Sequence, residues 1–373
     1  MKRRIKNILM ITALIITFSA CNKKTEEKAE FKIKESLVLD NLKEKTLIKE
    51  EYILGKNLDV VSVKDEELIL SEFLDGKTNY IKKSGNEDMV FASIKEKGNY
   101  TSLQKRKDDK LIVVGSSSFN EEHKSKTAVF VIGKDGSIEK TELEGFDKLP
   151  QADILNDDVI LYGETIKEGK MQSFIAYFNL KDKEMKKIIS KELQVKGDKV
   201  SGEYIFYFSF DGENIYYQKV DYNDESFEKG GKSSIYRIKD YKGDKKVEKV
   251  IDVDKKMLKF YVDDDVVVTS DYVFENPNVD SGTLYVKKGG SYEKHIIPEV
   301  TPGNDISEIY RKDDNLYLIT EKNLYIYNLK DKNYNIMRYN EDTFNTTSSF
   351  VDGYFVKNQH KEDKTVAYFY KLK

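Results

Sequence analysis

The chain has 373 residues, with 63 Lys and Arg against 66 Asp and Glu, and its 39% hydrophobic and 12% aromatic content is too high for a disordered segment. The slightly acidic balance excludes a role resting on nucleic-acid phosphates. One cysteine, Cys21, excludes an intramolecular disulfide framework, so packing and hydrogen bonds must hold the core.

Lys2, Arg3, Arg4 and Lys6 precede an uncharged run from Ile8 to Phe18. That is the order of a secretory signal peptide, and the run is too short to span a membrane comfortably. It ends Phe18-Ser19-Ala20-Cys21. This ending resembles the lipobox of bacterial lipoproteins, with Phe18 where Leu is more usual. The resemblance implies a diacylglyceryl group on Cys21 and cleavage that leaves Cys21 as the new N-terminus; the plainer alternative is an ordinary secretory signal with a chance cysteine. Loss of residues 1–20 removes four bases and no acid, leaving 59 against 66 and a net charge of about −7. Residues 21–32 then form a polar tether whose last eleven residues reach at most about 35 Å, and 33–373 form one folded domain.

From there the chain repeats itself. Acidic or Asn-containing turns precede apolar runs that begin at Leu68, Leu111, Val159, Ile215, Val266, Leu316 and Tyr354, at steps of 43, 48, 56, 51, 50 and 38 residues. Periods of that size indicate propeller blades. Within each repeat a strand precedes the acidic turn, an apolar strand follows it, and a loop, a third strand, a tight turn and a fourth strand complete the unit. In the sixth repeat Leu324-Tyr325-Ile326-Tyr327 turns at Lys330-Asp331-Lys332 into Tyr334-Asn335-Ile336-Met337. Tyr, Val, Ile and Phe suit a pleated surface, and four antiparallel strands make one blade. Met185 to Val195 has helical periodicity, but its place in the repeat predicts a strand. A β-sandwich also fits many short strands, yet does not require seven similar units.

The expected fold is therefore all-β, a β-propeller of seven four-stranded blades. The seventh repeat ends after its third strand, Thr365 to Tyr370, so an N-terminal strand near residues 46–53 is expected to supply the fourth. The stretch from Leu37 to Ile48 offers a third and a fourth strand, one more than closure needs, which leaves six or eight blades open. The segment Ser209-Phe210-Asp211-Gly212-Glu213-Asn214-Ile215-Tyr216-Tyr217 resembles the Asp-Gly element of TolB-like propellers over about nine residues per blade. Those modules are usually binding platforms or appendages to a hydrolase domain that is not recognisable here. The absence of Trp sets the chain apart from propellers whose signatures depend on it.

Candidate chemistry is sparse. His123, His295 and His360 stand in different repeats without metal-ligand spacing and read as solvated surface residues. No nucleophile elbow or phosphate loop occurs, and no catalytic, cofactor-binding or metal-binding residue is assigned. The aspartates of the acidic turns should share one face near the axis, where a carboxylate ring could hold Ca²⁺, but turn chemistry already explains them. Loops between second and third strands lengthen in repeats two, four and five and bear His123, Tyr222, Phe227, Tyr272 and Phe274. They are expected to form an aromatic rim that binds a protein, peptide or glycan. The whole reads as a lipid-anchored, extracytoplasmic binding or scaffold module of the cell envelope; the alternative is a propeller hydrolase or lyase acting on extracellular glycan or peptide.

Overall fold

Runs of alternating or continuous apolar residues broken by Asp, Asn and Gly turns fold as antiparallel meanders, and in this computed structural model nothing but strands forms among the described residues: 49–64, 67–84, 87–95, 100–116, 126–227, 230–253, 256–271, 282–288, 291–331, 333–338 and 346–372. Cys21 and the rest of residues 1–48 lie outside them, as do His123, Tyr272 and Phe274.

After β1 (Lys49–Leu54) the first sheet is β2 (Leu58–Lys64), β3 (Glu67–Leu74), β4 (Lys77–Ser84) and β5 (Glu87–Lys95). The second is β6 (Tyr100–Lys107), β7 (Lys110–Ser116), β8 (Thr127–Ile132) and β9 (Ile138–Leu143). An eight-stranded sheet follows, joining β10 (Lys148–Leu155), β11 (Asp158–Lys167), β12 (Lys170–Asn179) and β13 (Met185–Lys196) to β14 (Lys199–Phe210), β15 (Ile215–Ser226), β16 (Lys232–Lys239) and β17 (Lys246–Val253). Two four-stranded sheets come next: β18 (Met257–Val262), β19 (Val266–Asp271), β20 (Gly282–Lys288), β21 (Ser291–Ile296), then β22 (Glu308–Lys312), β23 (Asn315–Ile319), β24 (Asn323–Asn328), β25 (Asn333–Arg338). In the last sheet β26 (Thr346–Val351), β27 (Tyr354–His360) and β28 (Thr365–Lys371) are joined by β1, which pairs antiparallel with β28 from Lys49↔Tyr370 to Leu54↔Thr365. The ambiguous stretch at Met185 is thus strand β13.

Apolar faces of successive sheets close on one another. Ile69, Tyr80, Leu111 and Phe130 fill the space between the first and second sheets; Leu58, Leu70, Val356 and Phe369 do the same between the first and the last. The strands β2, β6, β10, β14, β18, β22 and β26 neighbour one another in that order, and β26 neighbours β2. Register shifts recur in five of them, between Val60 and Ser62, Thr101 and Leu103, Lys148 and Gln151, Ile205 and Phe208, and Met257 and Lys259. Such bulges sharpen the local twist, as a strand crowded near an axis requires.

The acidic turns hold backbone and neighbouring sheets. Asp211 accepts the N–H groups of Glu213 and Asn214 at 3.0 and 2.8 Å, and Asp263 those of Asp265 and Val266 at 2.8 and 2.9 Å. Asp108, Asp313 and Asp352 adopt positive φ, which Asp tolerates better than most residues. Lys107 pairs with Asp157, Arg311 with Asp263, and Ser62 Oγ donates to Asp352 at 2.7 Å, so turns of adjacent sheets are bolted to one another at one end of the sheets.

Buried polar side chains also receive the incoming strand of the next sheet. Ser173, fully buried in β12, accepts the Ile205 N–H at 2.8 Å. Ser173→Ala leaves that N–H unpaired in the interior and is expected to lower stability by about 1–3 kcal/mol in urea unfolding; Ser190→Ala, at an exposed position of β13, should change it by less than about 0.5 kcal/mol.

Candidate functional site

Among the described residues, the regular sheets depart from their pattern at the end opposite the acidic turns. Strands β13, β14 and β15 run for 12 residues each and overshoot the sheets that contain them. Their tips pair directly, from Leu193↔Gly202 to Lys196↔Lys199, and this fuses two sheets into one ledge. Gly202 permits the crossing: it sits at φ +117°, and a Cβ there would lie 2.4 Å from the Glu192 carbonyl oxygen.

One side of the ledge is apolar. Leu193, Val200, Tyr204, Val220 and Tyr222 are buried there, with Met171, Val195, Phe206 and Phe227 partly covered. Tyr222 stacks on Phe227 at 5.6 Å between ring centres and Phe227 on Phe206 at 5.7 Å, while Tyr204 meets the latter two edge-on. Lys256 Nζ lies 5.1 Å from the centre of the Tyr222 ring and bonds the Phe227 carbonyl. The expectation of a long exposed loop at Asp221–Lys232 is corrected here. Tyr222 belongs to β15 and is 5% exposed, because pairing with Gly202 continues the strand to Ser226. Phe227 begins the short turn that follows and keeps part of its ring open.

Phe206, two residues after Tyr204 on the same face of β14, reaches the stack at a bulge between Ile205 and Phe208. The preceding strands grip this bulge: the Tyr162 hydroxyl donates to the Ile205 carbonyl at 2.7 Å, and the Gln151 amide both donates to and accepts from the Phe208 backbone at 2.8 and 3.0 Å. Bulges held in this way aim side chains at functional surfaces. Beneath it, Glu164 is 8% exposed, with Tyr162 Oη at 2.9 Å and Lys148 Nζ at 3.9 Å. Burial pushes the Tyr162 and Tyr204 hydroxyls well up, and the Glu164 charge adds to it.

Polar residues on the ledge form a charge network. Glu203 bonds both Lys191 and Lys219, and Lys219 also reaches Asp221 at 2.9 Å. Burial opposes the Glu203 charge, but the two ammonium groups outweigh it and hold the carboxyl down at about 2. The folded value lies below the ordinary one, so this contribution is complete above the unfolded pKa and fades as acid approaches the folded value. Glu203→Gln should therefore flatten the fall in thermal stability between about pH 4.5 and pH 2, measured by melting curves across that range.

Along the axis Lys105 pairs with Asp153 at 2.9 Å, and Glu308 accepts the Phe350 N–H at 3.0 Å. Enclosure raises the Glu308 carboxyl above its usual range, against the pull of Lys259, the Phe350 N–H and Lys105 and with the push of Asp153.

The expectation of solvated histidines is also corrected. His295 is 9% exposed within β21, and His360 lies among Asp59, Thr347 and Thr365. Neither Glu203, Phe206 nor Glu308 was anticipated. Phe206 stands in an alternating strand pattern, Glu203 acquires its partners from the strands on either side of its own, and Glu308 acquires its surroundings from strands remote in sequence.

The fold is that of a β-propeller. The chain superposes on the β-propeller domain of the Trilobed protease from Pyrococcus furiosus, described as having an open velcro topology, with a TM-score of 0.51 and 14% identity over 85% of this chain and 94% of that one. It superposes on the Dos1 propeller with a TM-score of 0.51 and 11% identity over 86% of this chain and 80% of that one. A third match is an acylaminoacyl peptidase solved with Z-Gly-Gly-Phe-chloromethyl ketone, with a TM-score of 0.52, 12% identity and 86% of this chain covered; the chain spans 52% of that peptidase. At these identities the likeness carries the fold alone. No protein-family model and no curated protein matches the chain.

Proposed function

We propose that this chain is a lipid-anchored, extracytoplasmic propeller of seven blades closed by β1, acting as a binding module for a protein, peptide or glycan of the bacterial cell envelope. The blade number takes the eight-stranded sheet as two units, β10–β13 and β14–β17. The cyclic order of the first strands and the β1–β28 pairing support closure. The lipid anchor rests on Phe18-Ser19-Ala20-Cys21 and the signal-like run before it.

The observation that carries the binding role is the ledge. A strand bulge gripped by three side chains of the preceding strands stands on the ledge with a three-ring stack that has two partly open rings on one side and a paired charge network on the other. Aromatic rings beside satisfied polar groups are the usual composition of an interaction surface. The rival hydrolase or lyase reading has Glu308 in its favour, since enclosure raises its carboxyl, the direction a general acid requires. Asp153, the acid whose charge acts on Glu308, is ion-paired to Lys105 and so is engaged rather than free to act as a base.

Two measurements test the proposal. Cys21→Ala should abolish fatty-acid labelling and release the protein from the membrane fraction, whereas an unlabelled wild type removes the anchor. A photoreactive residue at Phe227 should cross-link an envelope component in cells, and the same residue at Asp135, in a turn at the other end of the sheets, should not. Cross-links from Asp135 alone would move the site to the acidic-turn face.

A further inference from the structure

Strands β6 and β22 each place an arginine one residue before they end, Arg106 opposite Leu111 and Arg311 opposite Leu316. Both guanidinium groups are anchored alike, with Nε donating to the carbonyl two residues on: Asp108 at 3.3 Å and Asp313 at 3.2 Å. They differ in what fills the outer nitrogens. Arg311 Nη1 meets Asp263 and Nη2 reaches Asp265 at 3.4 Å, two carboxylates from one turn of the preceding sheet. Arg106 Nη1 meets Glu67 of the first sheet at 3.2 Å, and Nη2 has no partner among the described residues, although the side chain is 10% exposed. The side chain lines a narrow cleft between the first and second sheets, with room for about one water-sized group. Lys82 crosses that cleft, donating to the Lys134 carbonyl at 2.7 Å with its ammonium 4.6 Å from the centre of the Phe91 ring. Lys110 and Lys134 line it as well, both exposed and neither ammonium partnered among the described residues. The carboxylates of the lining are Glu67, held by Arg106, and Asp109. Four cations thus meet two acids, in a chain whose acids outnumber its bases by 66 to 63.

We propose that this cleft binds a carboxylate, which takes on Arg106 the position that Asp265 takes on Arg311. A guanidinium offers its N–H groups in a planar fork that matches a carboxylate, and a charge-assisted bond in a partly enclosed cleft is stronger than one in open water. Lys110 and Lys134 add positive charge without an existing ion pair to break. The size of the cleft admits the head of a ligand and leaves its body outside, with Phe91 beside the carbon that bears the carboxylate. A small free acid and the carboxyl terminus of a peptide share that head. Asp65 and Glu66, in the turn before Glu67, lie outside the described residues and are the rival occupants. The cleft stands at the acidic-turn end and so is independent of the ledge.

Titration of the full chain in detergent, followed through the arginine Nε–H signals in NMR, tests this with acetate and N-acetyl-diglycine as probes. One arginine signal should shift saturably, and it should be the signal missing from Arg106→Lys. Acetamide, a neutral isostere, should leave it in place. Arg106→Lys should weaken binding at least about tenfold. Lys110→Gln combined with Lys134→Gln, at exposed positions that do not endanger the fold, should weaken it several-fold and reduce its salt dependence. Tighter binding of N-acetyl-diglycine than of acetate assigns the head to a peptide terminus, and equal binding assigns it to a small acid. The proposal is overturned if no arginine signal shifts, if acetamide shifts it equally, or if inorganic phosphate is preferred to both carboxylates. It is also overturned if binding appears only when Asp65→Asn and Glu66→Gln are combined, which would make the occupant the chain's own turn.

Discussion

Each sheet must hand the chain to the next, and at that handover the first N–H groups of the new strand are buried before their own ladder begins. An unpaired buried N–H costs more than one hydrogen bond normally contributes. The solution recurs with different side chains. Thr365 Oγ1 accepts Leu58 N–H, Ser173 Oγ accepts Ile205 N–H, Gln218 Oε1 accepts Met257 N–H, and Ser270 Oγ accepts Ile306 N–H. All four acceptors are fully buried, Thr365 and Ser270 on the third and second strands of the preceding sheet, Gln218 on β15 of the eight-stranded sheet, and Ser173 on the third strand of that same sheet, which also holds Ile205. A polar atom in the apolar space between two sheets is tolerable only if the neighbour occupies it, so these contacts tie the spacing and register of each sheet to the next. That coupling makes the stacking cooperative rather than a set of independent hairpins.

The ledge follows from the same constraint, relaxed once. Where β13 leaves its sheet it does not turn inward at once but pairs with β14, and the Ser173 acceptor then meets Ile205 six residues into that strand rather than at its start. The extra length has to be accommodated before β14 settles near the axis. The bulge at Phe206 and Tyr207 absorbs it, and Tyr162 and Gln151 satisfy the backbone that the bulge frees. The aromatic stack is thus a consequence of the fused sheet. Filling its underside with small residues would leave Val200, Val220 and Tyr222 without cover.

What the sequence discloses divides by the range of the interaction concerned. The acidic turns were legible because an Asp that bonds an N–H two or three residues on, as Asp211 does with Glu213 and Asn214, is a local event. The strand at Met185 was legible from its place between a third strand and the next repeat. Tyr222 was not: Tyr222-Asn223-Asp224-Glu225-Ser226 has the composition of a loop, and it is a strand only because Lys199 to Gly202 lies beside it. The bulge in β14 was hidden because Ile205-Phe206-Tyr207-Phe208 reads as an uninterrupted apolar strand. His360 looked solitary because the carboxylate nearest it stands at position 59, on the opposite side of the chain's seam.

The placement of the ledge bears on how a tethered propeller can work. β1 begins at Lys49 opposite Tyr370, beside the turn where Leu372 N–H meets the Gly353 carbonyl, and so at the acidic-turn end of its sheet. The ledge rises at the other end, beyond the hairpin at Glu168 and Gly169. A lipid on Cys21 would therefore hold the protein from the side where carboxylates are already engaged by backbone and by neighbouring sheets, and leave the aromatic stack and the Glu203 network facing away from the attachment. Attachment and recognition then compete for no surface. A ligand bound at the ledge would not displace a lipid held at the other end, and this separation supports the proposed reading as an anchored binding module.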